Sequence, residues 1–306
     1  MRQRSSWADG PLLGFDLETT GVDPESDRAV TLALIHREPG REPTRYHFLI
    51  NPGIEIPETA TAVHGITTDY ARDHGEPPEK VWAQARELMQ RLWTPQCPIV
   101  AFNGSYDLTM ADRELARHFG ATAGIDFTGR YLVDPLVIDR ANDRWRKGGR
   151  KLTQMCQHYG VPLGEDAHDA VADTLATMRL AYKLAATYAG SVGYINLAKL
   201  HQRQIRWHRT WCENMGGWLD GEATKMQRAW SSGNVAFVRA KLNRLEITRE
   251  PDDALVAATC EQTRERSRDL MVSAAQWPMR PRSLVDAMVA TGSDPTTPSR
   301  AGDNPE

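Results

Sequence analysis

The sequence predicts an α/β fold, a mixed sheet with helices on its faces, followed by a helical C-terminal appendage. Three observations carry this expectation. Apolar runs of strand length alternate with helical periodicity up to about residue 187. The first three runs follow one another across short turns, as in a meander. Beyond "AGSVGY" (189–194) the strand signal fades and only helical stretches follow. Sheet with flanking helices is one of the few ways to bury both kinds of apolar face.

Element by element, "PLLGFDLE" (Pro11–Glu18) reads as a buried strand ended by the turn "TTG". "AVTLALIH" (Ala29–His36) and "TRYHFLI" (Thr44–Ile50) are the next two strands. Val81, Ala85, Leu88 and Leu92 fall on one face of a helix over Pro77–Trp93. "PIVAFN" (Pro98–Asn103) is a further strand, and "SYDLTMADRELARHFG" a helix closed by Gly120. A short strand near Tyr131–Asp134 is followed by helices over Lys151–Tyr159 and His168–Thr187. Helices are also expected over Asn196–Met215 and Glu222–Trp230, and in a segment opening with Pro251 and two acids. The expected division is a catalytic domain over 1–187, the appendage over 188–290, and a tail over 291–306 too poor in apolar residues to fold.

A chain of 306 residues holds one large domain or two small ones. Its 41% hydrophobic and 25% charged residues match a globular protein rather than a disordered or fibrous one. A formal charge of −3 excludes a globally basic nucleic-acid binder, so any basic surface must be local. Cys97, Cys156, Cys212 and Cys260 are far apart and make no CxxC pair, which argues against zinc or a disulfide framework. A reducing, cytoplasmic setting is expected. The start lacks an apolar core of signal type, and no run reaches membrane-spanning length.

Three groups of ionisable residues carry the chemistry. In "FDLETTG", Asp16 and Glu18 lie two apart on a strand and share a face. Two such carboxylates repel unless a cation sits between them, and in a buried strand an uncompensated acid is costly. In "FNGSYD", Asp107 falls in the first turn of a helix after a second buried strand, where the helix dipole alone would also account for an acid. In "HDAVADT" (His168–Thr174), Asp169 and Asp173 are four apart at a helix start. Each segment read alone has an ordinary structural explanation.

In order and spacing, the three segments together resemble the DnaQ-like 3′–5′ exonucleases of the DEDDh branch. The first motif looks like "FDLETTG"; Asn103 followed by Asp107 matches the second; His168, Ala170 and Asp173 match the third. "VHGIT" (Val63–Thr67) resembles the segment between the first two motifs, and the likeness covers residues 10–187. "FNGSY" departs from the commoner form, although Tyr106 keeps an aromatic before the Asp. The resemblance implies an RNase H-like sheet and a two-metal site. It makes Asp16 the shared ligand, sets Glu18 and Asp173 on one ion and Asp107 on the other, and makes His168 the general base. Mg²⁺, with Mn²⁺ as substitute, suits an all-carboxylate set, and a His titrating near neutrality suits proton transfer. Asp169 is expected to favour the helix start. The resemblance also sets Leu17, Thr19, His64, Asn103 and Tyr106 near the terminal nucleotide.

Two segments read as nucleic-acid grips. In "RWRKGGRK" (Arg144–Lys151), Arg146, Lys147 and Arg150 are expected on backbone phosphates. In Lys199–Trp211, Arg203, Arg206 and Arg209 interleave with Trp207 and Trp211, which reads either as a stacking surface or as a helix burying its tryptophans. The expected function is release of nucleoside monophosphates from DNA 3′ ends, with no membrane partner. RNA trimming is an alternative, as is an idle binding or scaffolding subunit on the same fold. A separate polymerase is an expected partner through the C-terminal helices.

Overall fold

The central strand, β1 (Leu12–Thr19), is apolar on one face at Leu13, Phe15 and Leu17 and carries Gly14, Asp16 and Glu18 on the other. It pairs antiparallel with β2 (Ala29–Arg37), which pairs antiparallel with β3 (Thr44–Leu49). The structure, a computed structural model, describes residues 5–163 and 170–280. Helices α1 (Glu58–His64), α2 (Thr68–His74) and α3 (Pro78–Leu92) lead to β4 (Ile99–Val100). Then come α4 (Gly104–Phe119), β5 (Leu132–Val133), α5 (Pro135–Asn142), α6 (Leu152–Tyr159) and α7 (Ala170–Thr187). The sheet order is β3-β2-β1-β4-β5, with β1–β4 and β4–β5 parallel. The expected mixed sheet with flanking helices is therefore present. Only Ile99 and Val100 of the run Pro98–Asn103 pair as a strand, because the chain turns into α4 at Asn103, whose φ is 56°.

Gly14 sets how closely α7 approaches the sheet. A Cβ there would lie 2.4 Å from Thr174 Cγ2 and 2.6 Å from Met178 Sδ. Thr174 and Met178 are buried, four apart on one helical face. The missing side chain thus lets α7 lie against the β1 face that carries Asp16 and Glu18.

The loop between α5 and α6 is anchored by a buried acid. Asp139 is fully inaccessible. It accepts from Arg146 Nε at 3.2 Å and Nη2 at 3.1 Å, from Arg150 Nε at 2.6 Å, and from the Tyr159 hydroxyl at 2.7 Å. A buried carboxylate needs such partners, and these tie the loop to both flanking helices.

The division into compact units falls later than the expected boundary at Thr187. One unit runs to Gln202 and takes in the chain again from Pro278; the second is Arg203–Trp277. The first unit extends past Thr187 because the Trp7 indole donates to Val192 O at 2.9 Å and Leu132 N–H donates to His201 Nδ1 at 3.2 Å. It regains the chain at Arg280, whose N–H donates to Thr109 Oγ1 at 3.0 Å. Positions 281–306, including the expected unfolded tail, lie outside the described residues.

The second unit is helical. α8 (Leu197–Ser231) is one helix of 35 residues where two were expected, so Gly216 and Gly217 do not break it. Gly216 instead permits close packing: Ser267 Oγ donates to its carbonyl at 2.8 Å, and a Cβ would meet Met271 Sδ at 3.1 Å. α9 (Val235–Arg244) and α10 (Asp253–Ser273) complete a core of Ala223, Met226, Val238, Leu242, Val256 and Cys260. The four cysteines are buried and none is in a disulfide, and no helix among the described residues is long and apolar enough to cross a membrane.

Two substitutions test this packing. Gly14→Ala should force α7 away from β1 and lower stability by about 1–3 kcal/mol, the usual range for overpacking. Asp139→Ala leaves two guanidiniums against a vacated buried site and should cost about 3–5 kcal/mol. Denaturant titration of both variants measures the losses; an unchanged midpoint in either would contradict the packing described for it.

Candidate active site

Strand length decides where the acids meet. β4 pairs with β1 only at Leu13 and Gly14, so β1 runs on past its neighbour and exposes backbone groups that need partners. Asp107 supplies one. Its carboxylate, in the first turn of α4, accepts the Leu17 N–H at 3.2 Å. It is thereby brought against the backbone between Asp16 and Glu18. On the other side of β1 the Glu18 N–H reaches Thr31 Oγ1 at 3.3 Å, and the register shifts between Glu18 and Thr19.

Asp107 is buried, whereas Asp16, Glu18 and Asp173 are half-buried. Burial pushes the Asp107 carboxyl up to about 8, and the negative charges of Asp134 and Glu18 add to the effect. Such a group takes a proton near neutral pH unless a cation replaces it. That behaviour and an all-oxygen donor set fit a hard divalent ion. Among the described residues no three His, Cys, Asp or Glu side chains are gathered closely enough to hold a metal. Asp173 lies in the first turn of α7, one residue before Thr174, the residue packed on Gly14. His168 and Asp169 lie outside the described residues.

A further acid, Asp134, positions the cluster. It is buried at the end of β5, and burial pushes it up to about 6. Its oxygens accept the N–H groups of Asn103 and Gly104, both at 3.2 Å, and of Leu136 at 2.9 Å. Asn103 makes no side-chain cap for α4, so Asp134 holds the start of the helix that carries Asp107. In sequence, Asp134 ahead of Pro135 has the form of an N-cap with proline at the first helical position. That signal marks α5; its reach across to α4 becomes visible only in the fold.

The residues expected near the terminal nucleotide divide into two groups. Thr19 and Tyr106 meet directly: their hydroxyls lie 2.8 Å apart, and each lies close to Gly21 O, at 2.7 and 2.5 Å. Burial pushes the Tyr106 phenol up to about 12, so it stays protonated. His64 ends α1; its Nδ1 accepts the Ile66 N–H at 3.1 Å, and Nε2 is buried with no hydrogen-bond partner. Burial lowers its pKa, which favours the neutral ring, and the Thr19 backbone opposes that shift. Leu17 is buried and faces the core. Asn103 contributes its left-handed backbone to the turn into α4. In the basic loop, where phosphate contacts were expected, both Arg146 and Arg150 are ion-paired with the buried Asp139. The reason is the buried carboxylate, which needs their charge. Lys147 is exposed. On α8, Arg206 and Arg209 are exposed while Trp207 and Trp211 are half-buried.

Residues 13–181, more than half of the chain, match the RNase T family of exonucleases. A PolC-type DNA polymerase III of Lacticaseibacillus paracasei is 30% identical over 189 residues, 62% of this chain and 12% of the polymerase. The PolC-type polymerase of Listeria innocua is 29% identical over 170 residues, 56% of this chain and 11% of the polymerase. The chain thus spans a small fraction of the length of these relatives. A zinc-bound structure of Escherichia coli exonuclease I with single-stranded DNA superposes with a TM-score of 0.51 at 22% identity, covering 65% of this chain and 43% of that one. That likeness is one of fold. By the match over residues 13–181, the chain belongs to the RNase T family of exonucleases, within the DnaQ-like 3′–5′ exonucleases.

Proposed function

We propose that this protein is a metal-dependent 3′–5′ exonuclease releasing nucleoside monophosphates from DNA. One observation carries the reading: Asp107, from a different segment of the chain, is seated on the Leu17 N–H between Asp16 and Glu18. Burying Asp107 beside other carboxylates raises its pKa at a cost in stability, which a cation offsets. DNA is favoured as substrate because "ETTG" resembles proofreading members and the relatives in Lacticaseibacillus and Listeria are DNA polymerases.

Asp16, Glu18, Asp107 and Asp173 would hold two divalent ions, Mg²⁺ or Mn²⁺. The bound ions would neutralise the scissile phosphate and hold the attacking and leaving oxygens. His168 would take the proton from the attacking water. Thr19, Tyr106 and His64 would shape the space for the terminal nucleotide, the Tyr106–Thr19 contact closing its floor. In the relatives this domain is a small part of a polymerase, whereas here a helical unit follows it. Docking of that unit to a separate polymerase is part of the proposal.

Metal binding and proton transfer can be separated by substitution. Asp16→Ala and Asp173→Ala should lose Mn²⁺ binding, read by calorimetry, together with activity. His168→Ala should keep substantial Mn²⁺ binding and lose about 10²–10⁴-fold in rate, the range for a general base. Loss of Mn²⁺ by His168→Ala as complete as that by Asp16→Ala would remove it from the base role.

Polarity is tested by digestion. With Mg²⁺, a 5′-labelled DNA oligonucleotide should give a ladder of shortening labelled products, faster than matched RNA, and a closed single-stranded circle should survive. Rapid cutting of the circle would show an endonuclease, faster decay of the RNA would reverse the substrate, and no cutting of either would favour a binding subunit.

A further inference from the structure

The loop 143–151 sorts its residues sharply. Arg146 and Arg150 turn inward to Asp139, while Arg144, Trp145, Lys147 and Lys151 are exposed. Trp145 is 83% accessible, the most exposed aromatic side chain among the described residues. Leaving an indole in water forgoes roughly 2–3 kcal/mol of burial, and nothing in the loop's anchoring requires it there. The anchoring instead makes the indole a fixed feature. Asp139, Arg146, Arg150 and Tyr159 are cross-bonded, and the Tyr159 hydroxyl also lies 3.1 Å from that of Tyr188. The Arg144 guanidinium lies over the Trp145 ring, 4.8 Å from its centroid. A flat π-surface with a cation over it and two further exposed cations in the same loop suits a nucleobase and its phosphates.

We propose that Trp145 is a base-stacking residue for single-stranded nucleic acid, several nucleotides back from the cleaved 3′ end, with Lys147 and Lys151 facing backbone phosphates. The inference rests on the exonuclease reading and extends it by assigning a second subsite. Its separation from the acids follows from α5. Asp134 begins that helix, beside α4 and Asp107, and the loop leaves its other end. Eight helical residues span about 12 Å, which is about three or four nucleotides at the stacking distance of 3.4 Å. Stacking would therefore steady the strand without touching the reacting phosphate.

The test compares wild type, Trp145→Ala and Trp145→Phe, each checked for folding by circular dichroism. Binding of fluorescein-labelled oligo-dT is read by anisotropy without divalent ions, and kinetics are read with Mg²⁺ on oligo-dT and on the p-nitrophenyl ester of thymidine 5′-monophosphate. Trp145→Ala should weaken oligo-dT binding and raise KM about tenfold while leaving ester hydrolysis unchanged. Trp145→Phe should recover most of the loss. Oligonucleotides shorter than about four residues should be insensitive to the substitution, by the spacing above. Unchanged oligo-dT binding in Trp145→Ala would overturn the inference, and so would equal losses on the ester and the oligonucleotide. A wild type that binds oligo-dT through Trp145 yet cuts nothing would overturn the exonuclease reading instead.

Discussion

A single backbone group organises this site. β1 outruns β4, so the Leu17 N–H has no strand beside it and is satisfied by the Asp107 carboxylate. A buried amide without a partner would cost about 1–3 kcal/mol. The same bond fixes the depth of Asp107 and holds it beside the strand that bears Asp16 and Glu18. Placing a carboxylate where folding demands an acceptor makes the acid both a structural element and a candidate ligand. Burial raises its pKa to about 8, so the cluster stores a preference for positive charge that the rest of the sheet must bear.

Around that bond the molecule relies on close approach. α7 meets β1 at a glycine, and α8 meets α10 at another. In both places the missing side chain brings two elements together rather than freeing the backbone. The first brings the helix whose first turn carries Asp173 to the acid-bearing face of β1. The second lets α10 pack closely on α8, a helix of 35 residues.

Much of this was legible in the sequence because the signals were local. Alternation in "PLLGFDLE" marked the strand and the shared face of Asp16 and Glu18, and periodicity marked α3, α4 and α6 within a residue or two. What the sequence hid was the destination of side chains. Arg146 and Arg150 lie in a run of cations that looks solvent-facing, yet Asp139, a single acid in an apolar segment, draws both inward. Gly216–Gly217 has the form of a helix break, but packing against α10 overrides local propensity. The short helices α1 and α2 went unseen because neither shows enough apolar residues to reveal a face. The division between compact units at Gln202 has no local signal either. His201 and Arg280 join the first unit through long-range hydrogen bonds, which leave no trace in composition.

Asp134 shows that an acidic residue in such a cluster need not be available to a cation. Its two oxygens receive three backbone N–H groups from two helices, so most of the electron pairs that a metal would use are already directed at protein hydrogens. An asparagine of the same shape would offer one acceptor and turn an NH₂ group toward an amide donor. Position 134 therefore selects for charge on geometric grounds alone. Counting carboxylates would place Asp134 among the ligands, whereas following lone pairs makes it the hinge pin on which α4 and α5 are both hung.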